Sequence, residues 1–372
     1  MQISFVLLKI GMGDTYLYLY LKSGGNMKKI SILLVVLVFA LGLMVTSCTK
    51  NDGKTLYLFN WTYYTPDSVL KAFETEFGVK VKVDNYASNE EMFAKLKAGA
   101  KGYDIVFPSQ DYVSIMIKEN MLQEIDHEKF PNKANISDLV LEKATYDPNM
   151  QFSVPYCMGA AGIIVNKAKV SNYEKSWDIF ARTDLKGRMT MMDDMREVIG
   201  DALAHLGYSV NSLDDKELLE ATNLIINEWK PNLVKFDAEG FGKSFKTGDF
   251  WVCQGYAEVV YGEVPEEEWG NIDFFIPETG GPMYLDSMCI LKGAKNYDLA
   301  MQFINFLHRP EIYALFLDEF RYPSSVNPQA EAYLTAPSMY KTSDMVNCTI
   351  KDDIGEGLEK YNELWQRIRF TD

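Results

Sequence analysis

The sequence predicts an α/β protein of two lobes. Three observations carry that reading. Strand-like apolar runs alternate with helical stretches over residues 55–107, the same alternation resumes from Gly162 onward, and no internal repeat, low-complexity tract or long Pro/Gly/Ser linker intervenes. Strands alternating with helices favour a parallel sheet covered by helices. Two lobes joined by strand-like crossings therefore fit better than beads on a flexible string.

The elements follow in order. Thr55-Leu56-Tyr57-Leu58-Phe59-Asn60 reads as a buried strand bounded by polar residues. Thr65-Pro66-Asp67 then opens a helix through Val69, Phe73 and Phe77, and Gly78 is its stop signal. Val79 to Val83 is a second strand, Asn89 to Ala98 a second helix and Tyr103 to Phe107 a third strand. Further strands are expected near Gly162 to Val165, Arg188 to Met191, Phe250 to Gln254 and Asp273 to Ile276. One lobe is drawn over 55–160 and 285–330, the other over 161–284 and 331–372.

The residues before 55 do not belong to this core. Met27 is followed by Lys28 and Lys29, an apolar run from Ile30 to Val45, and Val45-Thr46-Ser47-Cys48. A positive start, a short apolar stretch, small residues and a Cys at the cut describe a lipoprotein signal peptide over 27–47. The apolar run is shorter than the roughly 20 residues a bilayer core requires. Cys48 would be acylated and become the new N-terminus, with 48–54 as a polar tether. Residues 1–26 are then an upstream extension.

Removing residues 1–47 takes away four basic residues and one acidic one, so the net charge moves from −15 to −18 over a mature length of 325 residues. That length suits two ordinary domains. Strong negative charge argues against nucleic acid and anionic lipid heads and mildly for a cationic ligand. Membrane contact is expected only through the anchor. Cys157, Cys253, Cys289 and Cys348 show no metal-like spacing. None of His127, His205 or His308 sits in a nucleophile motif, and GxSxG, HExxH, P-loop and GxGxxG patterns do not occur. No catalytic residue, metal or cofactor is assigned.

In open α/β sheets ligands bind beyond the carboxyl ends of strands. That rule points to Asn60 to Tyr64, Pro108 to Asp111, Asp193 to Glu197 and Cys253 to Tyr256, with Tyr284 and Asp286 flanking another strand. Aromatic and acidic residues coincide there. An alkyl ammonium needs carboxylates for its charge and hydrogen bonds, and aromatic faces to cover its methylenes. Residue by residue, a core aromatic or a helix cap explains Trp61, Tyr64 or Asp194 equally well.

Ordered segments carry more than any one motif. Leu56-Tyr57-Leu58-Phe59-Asn60-Trp61-Thr62, Tyr86-Ala87-Ser88-Asn89-Glu90-Glu91-Met92, Tyr103-Asp104-Ile105-Val106-Phe107-Pro108-Ser109, Asp193 to Val198, Leu285-Asp286-Ser287 and Arg321-Tyr322-Pro323 stand in one order. In these segments the chain resembles the spermidine/putrescine-binding proteins of bacterial polyamine ABC transporters. The resemblance implies the two-lobed type II periplasmic binding fold, with a ligand cleft between lobes that close on it. It implies a monomeric periplasmic receptor, no cofactor, and ABC permease subunits as partners. It further implies that Trp61 and Tyr64 wall an aromatic box with Thr62 and Ser109 nearby, that Asp194 and Glu197 bind one amine and Asp286 another, and that Tyr284 and Tyr322 line the cleft.

The chain also departs from that pattern. Tyr63 stands where the family often has Glu, Asp111 where an aromatic is common, and Cys253 and Tyr284 where relatives have Trp. Lys351 falls where the family has a Gln contact, and a buried Lys would repel an amine. Two other readings remain open at this level: a receptor for another solute, such as a metal ion or anion, and an exported hydrolase using Asp194 and Glu197 as a carboxylate pair. A sensory or adhesive lipoprotein is a further one.

Overall fold

A computed structural model describes residues 54–62 and 64–371, together with the backbone of strands β1 (Ser4–Lys9) and β2 (Tyr16–Leu21). These two pair antiparallel, with Ser4 opposite Leu21. The expected signal peptide, Cys48 and Tyr63 lie outside the described residues.

From Lys54 onward the chain builds two mixed sheets. The six-stranded sheet contains β3 (Thr55–Trp61), β4 (Lys80–Tyr86), β5 (Ile105–Val106), β6 (Ser153–Ala160), β12 (Pro282–Ile290) and β13 (Thr349–Ile350), in the order β13-β12-β5-β3-β4 with β6 also on β12. The five-stranded sheet contains β7 (Gly162–Asn166), β8 (Met189–Met191), β9 (Leu233–Phe236), β10 (Val252–Gly255) and β11 (Ile272–Phe275), in the order β11-β7-β10-β8-β9. Within them β3, β4 and β5 run parallel, as do β8, β9 and β10.

Local chemistry explains the first βαβ unit. Helix α1 (Asp67–Phe77) starts behind Pro66 and ends at Gly78, whose φ of +64° only glycine adopts cheaply and whose N–H donates to Glu74 O. Helix α2 (Asn89–Lys97) is capped reciprocally: Ser88 Oγ accepts from Glu91 N, and Glu91 Oε2 accepts from Ala87 N. Period-two alternation sorts side chains between the two faces of a strand. Leu56 and Leu58 of β3 enter one core while Phe59 enters another. Ile163 and Val165 of β7 likewise pack on Trp177 and Trp229, while Ile164 faces the opposite core.

The chain passes between sheets with little connecting material. β6 ends at Ala160 and β7 begins at Gly162; β11 ends at Phe275 and β12 begins at Pro282. Two details differ from the sequence reading. The segment around 331–350, assigned there to the second lobe, returns to the first sheet: β13 pairs parallel with β12, and Tyr340, Met345 and Ile350 join the larger core. Its two-residue strand is too short to show a period. The C-terminal helix, Gly357–Phe370, then packs Tyr361, Trp365 and Ile368 into the core of the second sheet.

The third expected strand shrinks to Ile105–Val106: on one side Phe107 O accepts from the Trp61 Nε1–H and the Tyr86 hydroxyl, and on the other stands Asp104, whose side chain bonds to backbone. Its Oδ2 accepts from Tyr57 N at 3.0 Å and its Oδ1 from Asn296 N at 3.0 Å. The four described cysteines are free and buried. Among the described residues no helix is long and apolar enough to cross a membrane.

Candidate ligand-binding cleft

A cavity of about 1190 Å³ opens where the strands of both sheets end. Its walls come from the segments after β3, β4, β5, β8 and β10, together with β12 and the chain after β13. Such ends are where backbone leaves the sheet and side chains are free to converge. Of the residues singled out from sequence, Trp61, Thr62, Tyr64, Ser109, Asp111, Asp194, Tyr284, Asp286 and Tyr322 line it.

Asp286 is the anchor of one end. It is 6% exposed, and two hydroxyls donate to it: Tyr64 Oη to Oδ2 at 2.7 Å and Ser109 Oγ to Oδ1 at 2.6 Å. Burial pushes its carboxyl up to about 6, against the pull of these two hydrogen bonds. Ser109 is free to do this because, although it stands at the N-cap of helix α3 (Gln110–Lys118), its side chain makes no cap bond. Among the described residues no Lys, Arg or His forms an ion pair with Asp286.

Asp286 does not stand at a strand end, as the sequence reading placed it. Both it and Tyr284 lie inside β12, and the register against β6 shifts between Asp286 and Ser287. A bulge of this kind re-aims a side chain within a continuous strand.

Aromatic walls surround this carboxylate. Trp61 donates its Nε1–H to Phe107 O at 2.8 Å and lies 4.8 Å from the Tyr86 ring. Tyr64 packs edge-on against Tyr156 at 5.1 Å, and Tyr284 edge-on against Tyr256 at 5.6 Å. Gly159 makes room for Tyr284: a Cβ there would come within 2.7 Å of Tyr284 Cζ. Trp61 and Tyr64 therefore serve as core aromatics and cavity wall at once.

Another part of the wall is built on helix α4 (Met195–His205). Asp194 is its N-cap, with Oδ1 accepting from Arg196 N at 2.8 Å and Glu197 N at 3.1 Å. Glu197, 1% exposed, receives the Tyr256 hydroxyl on Oε1 at 3.0 Å, and the same oxygen pairs with the Lys351 ammonium. Its Oε2 has no hydrogen-bond partner among the described residues. Burial raises the Glu197 carboxyl above its ordinary value, with Lys351 opposing. Burial works to depress Lys351, but Glu197, Asp194 and Asp111 outweigh it and hold the ammonium above its ordinary range.

Asp111, in the first turn of α3, is also raised by burial, and its Oδ1 has no partner among the described residues. Arg196 turns its two terminal nitrogens to Asp352 O at 3.1 Å and Asn211 Oδ1 at 2.6 Å. Among the described residues no group of three His, Cys, Asp or Glu side chains is arranged to hold a metal ion.

Of the expected site residues that the structure describes, Glu197 and Cys253 do not line the cavity, whereas Tyr256 and Glu258, which were not among them, do. Cys253 is fully buried in the larger core and does not line the cavity. The cleft instead receives Tyr256, three residues on, where β10 has given way to the short helix Ala257–Tyr261. The same strand-end segment contains both, and the exit from period-two geometry decides between them. Glu258 follows, lining the cleft and accepting from Tyr322 Oη at 3.3 Å; burial pushes it up to about 7. Nothing in the local sequence marks Glu258 as different from its exposed acidic neighbours.

The model of a family described as bacterial extracellular solute-binding protein matches residues 68–343. This chain belongs to that family. As a solute-binding protein it is similar to the spermidine/putrescine-binding periplasmic protein of Escherichia coli K12, 35% identical over 341 residues, 89% of this chain and 96% of the relative. Among solved structures it is similar to the Tp0655 (TpPotD) lipoprotein of Treponema pallidum, with a TM-score of 0.83 and 52% identity, covering 86% of this chain and all of that one. It also matches the spermidine/putrescine transporter substrate-binding protein PotD from Streptococcus pneumoniae, with a TM-score of 0.78 and 27% identity over 85% of this chain and 98% of that one. The solute-binding protein fold is thus the two-lobed α/β architecture expected from the sequence.

Proposed function

We propose that this chain is a substrate-binding lipoprotein that captures a polyamine, spermidine and/or putrescine, and delivers it to the permease subunits of an ABC importer. The observation that carries the reading is Asp286: a buried carboxylate held by the Tyr64 and Ser109 hydroxyls, walled by aromatic rings and, among the described residues, in no ion pair. Burying such a charge is costly unless a cation arrives. An alkyl ammonium meets the need, since its hydrogens reach the carboxylate and its methylenes lie against rings.

Trp61, Thr62, Tyr64, Ser109, Asp111, Tyr284 and Tyr322 would contact the ligand, and Tyr63 adjoins them in sequence. Asp194 and Glu197 would supply further charge. The names of the relatives support the polyamine class. The Treponema neighbour is named a lipoprotein, which supports a lipid anchor, here through Cys48, and the Escherichia coli relative is named periplasmic, which supports that location. The role is capture and release, by one protein copy, without chemical change to the ligand.

Equilibrium dialysis of the purified full-length protein against labelled putrescine and spermidine tests this. Saturable binding of at least one, undiminished by excess glutamate or acetate, is expected. No saturable binding of either polyamine at concentrations up to about 1 mM, a free energy of about −4.1 kcal/mol, removes the reading.

A further inference from the structure

We infer that Lys351 is a built-in ammonium that occupies the Glu197 end of the cleft, so that the native protein offers free carboxylate charge mainly around Asp286. The inference rests on the polyamine reading and adds a specificity-determining residue to it. Lys351 follows β13, and its main chain is fixed from two sides: its N–H donates to Met283 O at 3.2 Å and its carbonyl accepts from Gln110 Nε2 at 2.7 Å. Its side chain is 15% exposed, lines the cavity, and ends in the ion pair with Glu197 Oε1. Asp194 and Asp111 also face it.

The consequence is a matter of charge count. Glu197 is neutralised from within the chain, on the very oxygen to which Tyr256 donates. A second ammonium, brought by a ligand, would have to displace the first or lie beside it, and like charges at hydrogen-bonding distances repel. Among the described residues Asp286 forms no such ion pair, and the Lys351 charge pulls on its carboxyl only from a distance. A ligand is therefore selected by how few ammonium groups it must place at the Glu197 end, and lysine at position 351 penalises the more highly charged polyamine.

The test is dialysis of full-length Lys351→Gln and Lys351→Gln/Glu197→Gln against putrescine and spermidine, with thermal melting as the check of folding. Removing the lysine should tighten spermidine binding about tenfold or more, close to 1.4 kcal/mol, and putrescine binding by less. The double variant, which has the native charge count, should return to within about threefold of the parent for both. A Lys351→Gln protein that melts as a folded domain yet binds spermidine no tighter than the parent overturns the inference, as does an equal gain for both ligands. If the folded parent binds no polyamine, the underlying reading fails and the inference with it. If Asp286→Asn weakens binding while Lys351→Gln leaves the spermidine-to-putrescine ratio unchanged, the reading stands and only the role of the lysine falls. Should Lys351→Gln not fold, Lys351→Met is measured by the same criteria.

Discussion

Protons and ligand ammonium groups compete for the same oxygens of Asp286, and the sign of that competition is fixed. Burial raises Asp286 to about 6 and Glu258 to about 7, so both lose charge as pH falls through those values. An ammonium binds only the ionised form, while the ligand amine, with an unperturbed value of about 10.4, stays charged throughout. Polyamine affinity should therefore be level between pH 7.5 and 9 and fall below about pH 6, by roughly tenfold per unit once one proton must leave. Asp286→Asn should cost about 2 to 5 kcal/mol, or roughly 30-fold and more, and flatten the profile below pH 6. Titration calorimetry at five pH values checks both, and a profile unchanged by the substitution removes Asp286 from the site. The two hydroxyls on Asp286 come from residues 177 and 222 positions away, so no local pattern announces them.

At the scale of elements, Asp194 holds two functions that two substitutions separate. Its Oδ1 caps α4 through the N–H groups of Arg196 and Glu197, and its charge faces Lys351 and the cleft. Asp194→Asn keeps an acceptor for the cap. It should melt within about 0.5 kcal/mol of the parent while binding polyamines at least tenfold more weakly. Asp194→Ala should lose about 1 kcal/mol of stability in addition. An Asn variant that binds like the parent reduces Asp194 to a helix cap.

The same division explains which elements were legible. α1 and α2 carry their own stop and cap signals in Gly78, Ser88 and Glu91, and both were read within a residue or two. The bulge in β12 was not, because it arises from pairing with β6, more than a hundred residues earlier.

For the whole molecule, the proposed anchor would decide where a receptor of this charge works. If residues 1–47 are removed as proposed, the net charge moves from −15 to −18, and a chain of that charge gains nothing from anionic lipid heads. Membrane association should therefore depend on acylation at Cys48 alone. Full-length protein expressed in a bacterium that processes lipoproteins should partition into the detergent phase, and Cys48→Ser should move it to the aqueous phase. Unchanged detergent partitioning of the variant rules out Cys48 as the anchor.

The two-lobed α/β fold was legible in the sequence because its signals are local: apolar strand runs, helix stops and caps, and strand ends where aromatic and acidic residues gather. Those signals sufficed to select Trp61, Tyr64, Ser109, Asp194 and Asp286 as candidates for one cleft. Tertiary structure alone decided how their charges are balanced. It turned Cys253 into the core and brought Tyr256 to the cavity, raised Glu258 by burial, and set Lys351 on Glu197 across 154 positions. Charge at a site depends on which groups share the same dry volume, and that is set by packing between distant segments rather than by their order in the chain.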